Sequence, residues 1–273
     1  FDEARLKGLN PKLIVGSVNG YGSTGPYVNR PSFDFIAQAM SGFMSLTGAI
    51  EGEPMRAAPP IADLIAGLYC AFGVVTAIAA RNRTGEGQYV EASLNNSLIS
   101  LMAFLSAEYF ATGKPPARSG NNHAIVAPYG MFKAKDGAIA VAPSNETYAI
   151  RFLNAVGLGE LMEDERFRTN ADRMRNRSEL LMIIDAATEK ETVDHWIETI
   201  NAAGCPCGRV MTLDEVFDDP QVRATEMVLD VDHGDHGSIR MTGFPVKMSK
   251  TPTRIHRPAP DLGQHNDEFF GED

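Results

Sequence analysis

The longest hydrophobic feature of the sequence is a stretch of seventeen residues without a charge, Leu64 to Ala80, between Asp63 and Arg81. A membrane-spanning helix needs about 20 strongly apolar residues. This stretch is shorter, rich in alanine and interrupted by two glycines. The pattern therefore favours a core helix of a protein without a membrane segment, with small residues that let another backbone approach.

The remaining apolar patterns predict alternating strands and helices. Leu13 to Val18 is a nearly continuous apolar run, typical of a parallel strand covered on both faces. Helical patterns and a further short strand follow it. The expected elements before residue 113 are a helix over 31–48 that ends near Gly42 or Gly48, a strand over 88–92 and a helix over 93–112.

A linker rich in glycine and proline, Gly113 to Gly120, marks a predicted domain boundary. Beyond it, Met131 to Ala142 reads as two strands around an Asp136-Gly137 turn. Amphipathic helices and a second hairpin follow, so the fold class expected is α/β. These later elements are helices over 147–156, 177–188 and 192–202 and strands over 228–231 and 238–242.

Composition narrows the possible functions. The net charge of −10 argues against nucleic-acid binding, which needs clustered basic residues. Three cysteines form no disulfide framework and fit a reducing cytoplasm. No secretory signal is visible, and the sequence starts abruptly at Phe1, so we expect that an N-terminal portion is missing.

A glycine motif follows the first predicted strand. Gly20, Gly22 and Gly25 match the spacing of a dinucleotide fingerprint. Pro26 and Pro31 interrupt the helix that such a site requires, so we expect a tight ligand-binding loop at the end of the strand rather than an NAD site.

Asp63, directly before the uncharged stretch, has two interpretations. Aspartate is a common N-cap, and the residue pattern alone favours that role about two to one. The alternative is a catalytic carboxylate in a cleft. His123, in a loop rich in glycine and asparagine, is likewise either a surface residue or part of a lid.

Metal binding is not expected. The acidic and histidine residues at Asp230–His236 lie at a predicted hairpin tip, where such residues are common. Cys205 and Cys207 form a C-x-C without the second pair that a zinc site needs.

Several segments, in their order and spacing, resemble the class III CoA-transferase family, also called CaiB/BaiF. They span essentially the whole chain and include the glycine loop and the turn before Asp63. The segments are 10–14, 20–26, 31–39, 60–63, 83–88, 120–129, 245–249 and 262–265. The family carries a further Rossmann-like portion before the region that matches Phe1.

The resemblance implies that Asp63 is the nucleophile of CoA transfer, which proceeds through an aspartyl anhydride and an aspartyl-CoA thioester. It implies no permanently bound cofactor; coenzyme A enters as substrate, with an acyl-CoA and a small carboxylic acid as ligands. The residues expected to contact CoA or substrate lie in three segments. They are Gly20, Tyr21, Gly22, Phe33, Asp34, Asn122, His123, Ala127 and Tyr129.

Two alternatives remain. Related acyl-CoA racemases use a His where this chain has Phe33, and Phe cannot move a proton, so a racemase or isomerase is the less favoured reading. A non-catalytic fragment is the other. In one transferase branch, the loop that corresponds to residues 122–128 is a run of glycines. This chain lacks that run, so the resemblance establishes neither that the loop moves as a lid nor which acceptor acid is used.

The implied architecture is a Rossmann-like large domain, incomplete at its N-terminus, with a smaller inserted α/β domain, in an interlocked homodimer. The expected limits are 1–113 for the large-domain portion, 118–225 for the small domain and 226–273 for the return to the large domain.

Overall fold

The computed structural model describes residues 3–271, except for the side chain of Asp235. It contains two compact units, Phe1–Gly208 and Arg209–Asp273. Helices and short sheets alternate along the chain, which confirms the mixed α/β class. The domain limits expected from the sequence stay predictions.

A parallel pair of strands forms the first sheet, where the apolar run at Leu13 predicts a strand. Val15 of the first strand lies opposite Tyr89 of the second. The crossover between the strands contains three helices. The elements in chain order are α1 (Glu3–Leu9), β1 (Val15–Asn19), α2 (Asp34–Met40), α3 (Phe43–Leu46), α4 (Ile61–Thr84), β2 (Tyr89–Ser93), α5 (Leu94–Leu101) and α6 (Phe104–Thr112).

Two of the expected helices are each divided in the structure. Gly42 interrupts the helix expected over 31–48, and Ala103 interrupts the one expected over 93–112. Both residues have a positive φ, 87° and 44°, which an α-helix does not accommodate.

α4 packs on the β1–β2 pair through small residues, as predicted. A Cβ atom at Gly73 would lie 2.5 Å from Cγ1 of Val90, so only glycine allows this approach. The other face is exposed, with 65, 73 and 65 % of Leu68, Phe72 and Val75 accessible. The expectation of a buried core helix is therefore wrong for the described chain. α4 is also long and apolar enough to cross a membrane, which is weak evidence because some core helices are equally apolar.

The second sheet and its helices enclose the larger hydrophobic core. β3 and β4 form the predicted antiparallel hairpin, and β5 adds the third strand in the order β3-β4-β5. Phe132, Ile139, Phe152, Leu180 and Ile200 are at most 1 % exposed in this core. The elements are β3 (Gly130–Ala134), β4 (Gly137–Val141), α7 (Glu146–Ala155), α8 (Asn170–Arg175), α9 (Arg177–Thr188), α10 (Val193–Ala202) and β5 (Cys207–Arg209).

The C-terminal unit contains a two-stranded antiparallel sheet, which is the second predicted hairpin. Residues 243–265 form no helix or strand. The elements are α11 (Leu213–Asp218), α12 (Pro220–Ala224), β6 (Val228–Asp232), β7 (Ser238–Thr242) and α13 (Asn266–Phe270).

Candidate functional site

Asp63 lies in the first turn of α4. The N-cap position belongs to Pro60, so the interpretation of Asp63 as an N-cap is wrong. Its side chain is exposed and has no hydrogen bond within residues 3–271. Partial burial, and then the charge of Asp34, raise the pKa of the Asp63 carboxyl above its usual 3.8. An ionised carboxylate with a raised pKa is a better nucleophile, and it needs no partner base at neutral pH.

Asp34 anchors the start of α4. Only 8 % of it is exposed, and its Oδ1 accepts a 2.8 Å hydrogen bond from the Ala62 N–H. Its Oδ2 accepts a 2.7 Å bond from Nε2 of Gln38, which is fully buried. Gln38 Oε1 in turn accepts a 2.8 Å bond from the Ala57 N–H. Because the chain itself occupies both carboxylate oxygens, the geometry favours Asp34 as a positioning residue; direct contact with CoA stays a prediction.

We call Asp34 and Gln38 together the polar bridge. They hold both ends of the segment 57–62, which leads into the turn that carries Asp63. Two buried side chains that satisfy two backbone N–H groups fix this segment more firmly than exposed contacts would. Sequence reasoning missed Gln38, although a glutamine in the otherwise apolar run Phe35–Met40 is a visible signal of a buried polar contact.

The glycine loop lies beside the segment that precedes Asp34. A Cβ atom at Gly20 would lie 2.5 Å from Cβ of Ser32, so this close packing requires glycine. Gly22 has a φ of 97° and its N–H donates to Asn19 Oδ1. The structure thus brings Gly20 next to Ser32, which directly precedes Phe33, and Phe33 is 80 % exposed.

Glu91 on β2 holds the glycine loop in place. Its carboxylate accepts hydrogen bonds from Asn19 Nδ2 at 3.0 Å and from the Ser23 N–H at 3.1 Å. These bonds, the one from the Ser23 backbone first, lower the pKa of Glu91. Tyr21, the third predicted residue of this loop, is half-buried, and its ring contacts Tyr27 edge-on at 5.5 Å.

The loop 120–129 carries an aromatic cluster. The ring of His123 stacks on Phe104 at 5.7 Å and contacts Tyr129 at 5.1 Å. Asn122 lines an open cleft, and Ala127 is 1 % exposed. The structure therefore places these predicted residues together, but Asp63 does not line the cleft that contains Asn122.

Three side chains of α8 and α9 fasten this loop. Asn170 donates to Ile125 O at 2.9 Å and accepts from the Ala127 N–H at 3.1 Å. Arg173 Nε donates to Ala127 O at 2.6 Å, and Arg177 donates to the backbone oxygen of His123 at 2.9 Å. A loop tied at three backbone positions has limited freedom, so its motion as a lid stays a prediction.

The candidate metal ligands that the structure describes do not form a site. Among the described residues, no group of three or more His, Cys, Asp or Glu side chains is placed to hold a metal ion. Asp235 of the hairpin tip lies outside that description. Cys205 is buried and Cys207 half-buried, and burial raises the pKa of both thiols to about 11.

An open cleft of about 760 Å³ adjoins the loop 120–129. Its lining includes Thr47–Ile50, Arg56, Asn121, Asn122 and Asp185. We call it the Arg56 cleft. Sequence reasoning missed Arg56, although it is the only basic residue between Arg30 and Arg81.

Comparisons with known proteins agree with this fold. A family model described as CoA-transferase family III matches residues 1–266. The chain is 35 % identical to the succinate–glutarate CoA-transferase of Agrobacterium fabrum, covering 99 % of this chain and 68 % of that protein. It is 32 % identical to the human succinyl-CoA:glutarate CoA-transferase, covering 97 % of this chain and 60 % of that protein.

A solved structure gives the same result. The CaiB/BaiF family protein from Brucella suis superposes with a TM-score of 0.83 at 34 % identity, covering 98 % of this chain and 70 % of that one. The chain thus spans roughly 60–70 % of the length of these relatives. The match over nearly every residue shows that the chain belongs to CoA-transferase family III.

Proposed function

We propose that the chain carries the catalytic carboxylate of a CoA-transferase, which moves CoA from an acyl-CoA to a small acceptor acid. The observation that carries this proposal is Asp63, an exposed carboxylate with a raised pKa whose helix start is fixed by buried Asp34. Two relatives are named as CoA-transferases that act between succinate and glutarate, which supports CoA transfer as the reaction class.

The proposed reaction begins at Asp63. A carboxylate oxygen attacks the thioester carbonyl, the C–S bond breaks, and CoA leaves as a thiolate, giving an aspartyl anhydride. The thiolate attacks the aspartyl carbonyl and releases the donor acid, giving an aspartyl-CoA thioester. The acceptor carboxylate then repeats these steps in reverse order, which regenerates Asp63 and forms the new acyl-CoA. No net proton transfer or redox step is needed.

Water must be kept from both intermediates, since hydrolysis would waste the thioester energy. Asp63 is exposed in the single chain. In the proposal, the bound substrate and the second subunit of an interlocked homodimer supply that exclusion. The protein would act in the cytoplasm, with acyl-CoA and a small carboxylic acid as ligands and without a permanently bound cofactor.

Trapping the intermediates tests the proposal. The full chain is incubated with succinyl-CoA, glutarate and hydroxylamine, which converts an aspartyl anhydride or thioester into a hydroxamate that mass spectrometry locates. We expect the modification on Asp63, and Asp63→Ala should abolish both the hydroxamate and CoA transfer. Asp218→Ala is the matched control, because among the described residues that exposed aspartate pairs only with Arg223.

An Asp63→Ala variant that still transfers CoA would refute the proposal. Incubation in deuterated water separates the racemase alternative, since exchange at the alpha carbon without an acceptor acid requires proton abstraction. Phe33 has no proton to transfer, so we expect no such exchange.

A further inference from the structure

We propose that Arg56 binds the second, non-reacting carboxylate of a dicarboxylic substrate in the Arg56 cleft. This inference rests on the proposed function and names its substrate class. A dicarboxylic acid loses the charge of one carboxylate when that group becomes a CoA thioester. The second carboxylate persists in the free acid and in its CoA ester, so it is the group by which one site recognises both.

The backbone on either side of Arg56 is fixed. The Met55 N–H donates to Thr47 O at 2.9 Å, and the Ala57 N–H donates to Gln38 Oε1 at 2.8 Å. The loop 45–52 beneath it is held by Arg118, which donates to Ala49 O at 3.1 Å and also to Gly52 O. The backbone at Arg56 is therefore set before any ligand binds, which lowers the part of the entropic cost of binding that comes from ordering the loop.

The side chain of Arg56 has no partner in the part of the chain that the structure describes. Within residues 3–271 it forms no hydrogen bond, ion pair or ring contact, whereas Arg118 and Arg173 are fully engaged. A guanidinium binds a carboxylate through two parallel N–H···O bonds, a geometry that no other side chain offers. An unpaired arginine on a fixed backbone in an open cleft is thus suited to a carboxylate ligand.

The other polar groups of the Arg56 cleft are compatible with this ligand. The side-chain amide of Asn122 is free of hydrogen bonds in the part of the chain described, so its N–H can donate to an oxygen. Asp185 is the acidic residue among the described lining, and its Oδ1 is occupied by the Lys133 N–H at 2.9 Å. Arg56 supplies the positive charge opposing it.

The polar bridge connects this cleft with the proposed nucleophile. It holds the nitrogens of Ala57 and Ala62, which directly follow Arg56 and directly precede Asp63. Three hydrogen bonds and two planar groups limit these nitrogens to about 13 Å apart. The backbone that carries Arg56 is therefore tied to the backbone that carries Asp63, although Asp63 does not itself line the Arg56 cleft.

Two thioesters of the same length test the proposal. Succinyl-CoA and butyryl-CoA differ only in a terminal carboxylate, and the rate of hydroxamate formation on Asp63 is measured with each. We expect Arg56→Met to lower kcat/KM for succinyl-CoA by about 100-fold, because the carboxylate loses a charged partner. The rate with butyryl-CoA should stay within about twofold, since that substrate never used the guanidinium.

Arg56→Lys should recover part of the succinyl-CoA rate, and Arg83→Met is the matched control, an exposed arginine at the far end of α4. If Arg56→Met reacts with succinyl-CoA as fast as wild type does, and with butyryl-CoA as fast as wild type does, the assignment of Arg56 is overturned, while the proposed role of Asp63 is unaffected. If no hydroxamate forms in wild type, the proposed function fails. Calorimetry with glutarate then decides on Arg56: loss of binding in Arg56→Met supports its role, and unchanged binding refutes it.

Discussion

The hydrogen bonds of the polar bridge are all satisfied only if one of its two side chains is a carboxylate, which accepts hydrogen bonds and donates none. The N–H groups of Ala57 and Ala62 donate at its two ends, and the amide of Gln38 can donate once and accept once between them. The Asp34 carboxylate accepts from both sides. Asp34→Asn replaces one acceptor by a donor, so whichever way the two amides turn, two donors face each other at one position.

Exchanging the roles should repair this pattern. In the double variant Asp34→Asn/Gln38→Glu, the new amide accepts from Ala62 and donates to the new carboxylate, which accepts from Ala57. Asp34→Asn alone should cost about 1–3 kcal/mol, the usual loss for a buried unsatisfied group. Gln38→Glu alone sets two carboxylates where a 2.7 Å hydrogen bond now stands, so it should also destabilise.

Urea unfolding followed by circular dichroism measures the four proteins of this double-mutant cycle. We expect the double variant to be about 2 kcal/mol more stable than the sum of the single effects predicts. Additive losses would refute the bridge as described. Partial burial, and then the charge of Asp34, raise the pKa of Asp63. Position 38 is one link further from Ala62 along the bridge, so moving the charge there should also lower the pH at which Asp63 becomes reactive.

Two further predictions concern charges. Arg173 is 1 % exposed and pairs with Glu146, so Glu146→Gln should lower the free energy of unfolding in urea by about 1–3 kcal/mol. Glu189→Gln breaks an exposed pair with Lys133 and should cost under about 1 kcal/mol. Equal losses in the two variants would contradict this account. The pKa of the Asp63 carboxyl is raised in the folded state. The carboxyl therefore contributes stability at pH values below its pKa in the unfolded chain, near 3.8. This contribution is lost as the pH rises through its pKa in the folded protein. Asp63→Asn should therefore become the more stable protein at neutral pH, with the difference shrinking on acidification, and a pH-independent difference between the two unfolding curves would show that the shift is absent.

Local patterns predict the local elements of this chain well. The Asp136-Gly137 turn between two alternating runs gives the hairpin of β3 and β4, because the signal and the structure are both short-range. The interpretation of Asp63 as an N-cap failed for the opposite reason. The group that satisfies the start of α4 is Asp34, a residue far upstream, and no local signal reports a hydrogen bond over that distance.

The candidate site shows the same limit. The family resemblance identifies Asp63, Phe33 and the glycine loop by position, but it does not indicate how they are supported. Gln38 accepts a hydrogen bond from the backbone of Ala57 in a distant loop. Arg56 becomes a candidate binding residue only because it lines the cleft. Both follow from tertiary packing, which residue type and spacing alone do not encode.

The crossover between β1 and β2 has a consequence for how the protein acquires its activity. Both Arg56 and Asp63 lie within that crossover, and its ends meet only when Val15 pairs with Tyr89. Closing such a long loop is slow, because the chain entropy is lost before the strand contacts form. We therefore expect the segment that carries the proposed nucleophile to be fixed late during folding, so that an incompletely folded chain would lack the proposed centre.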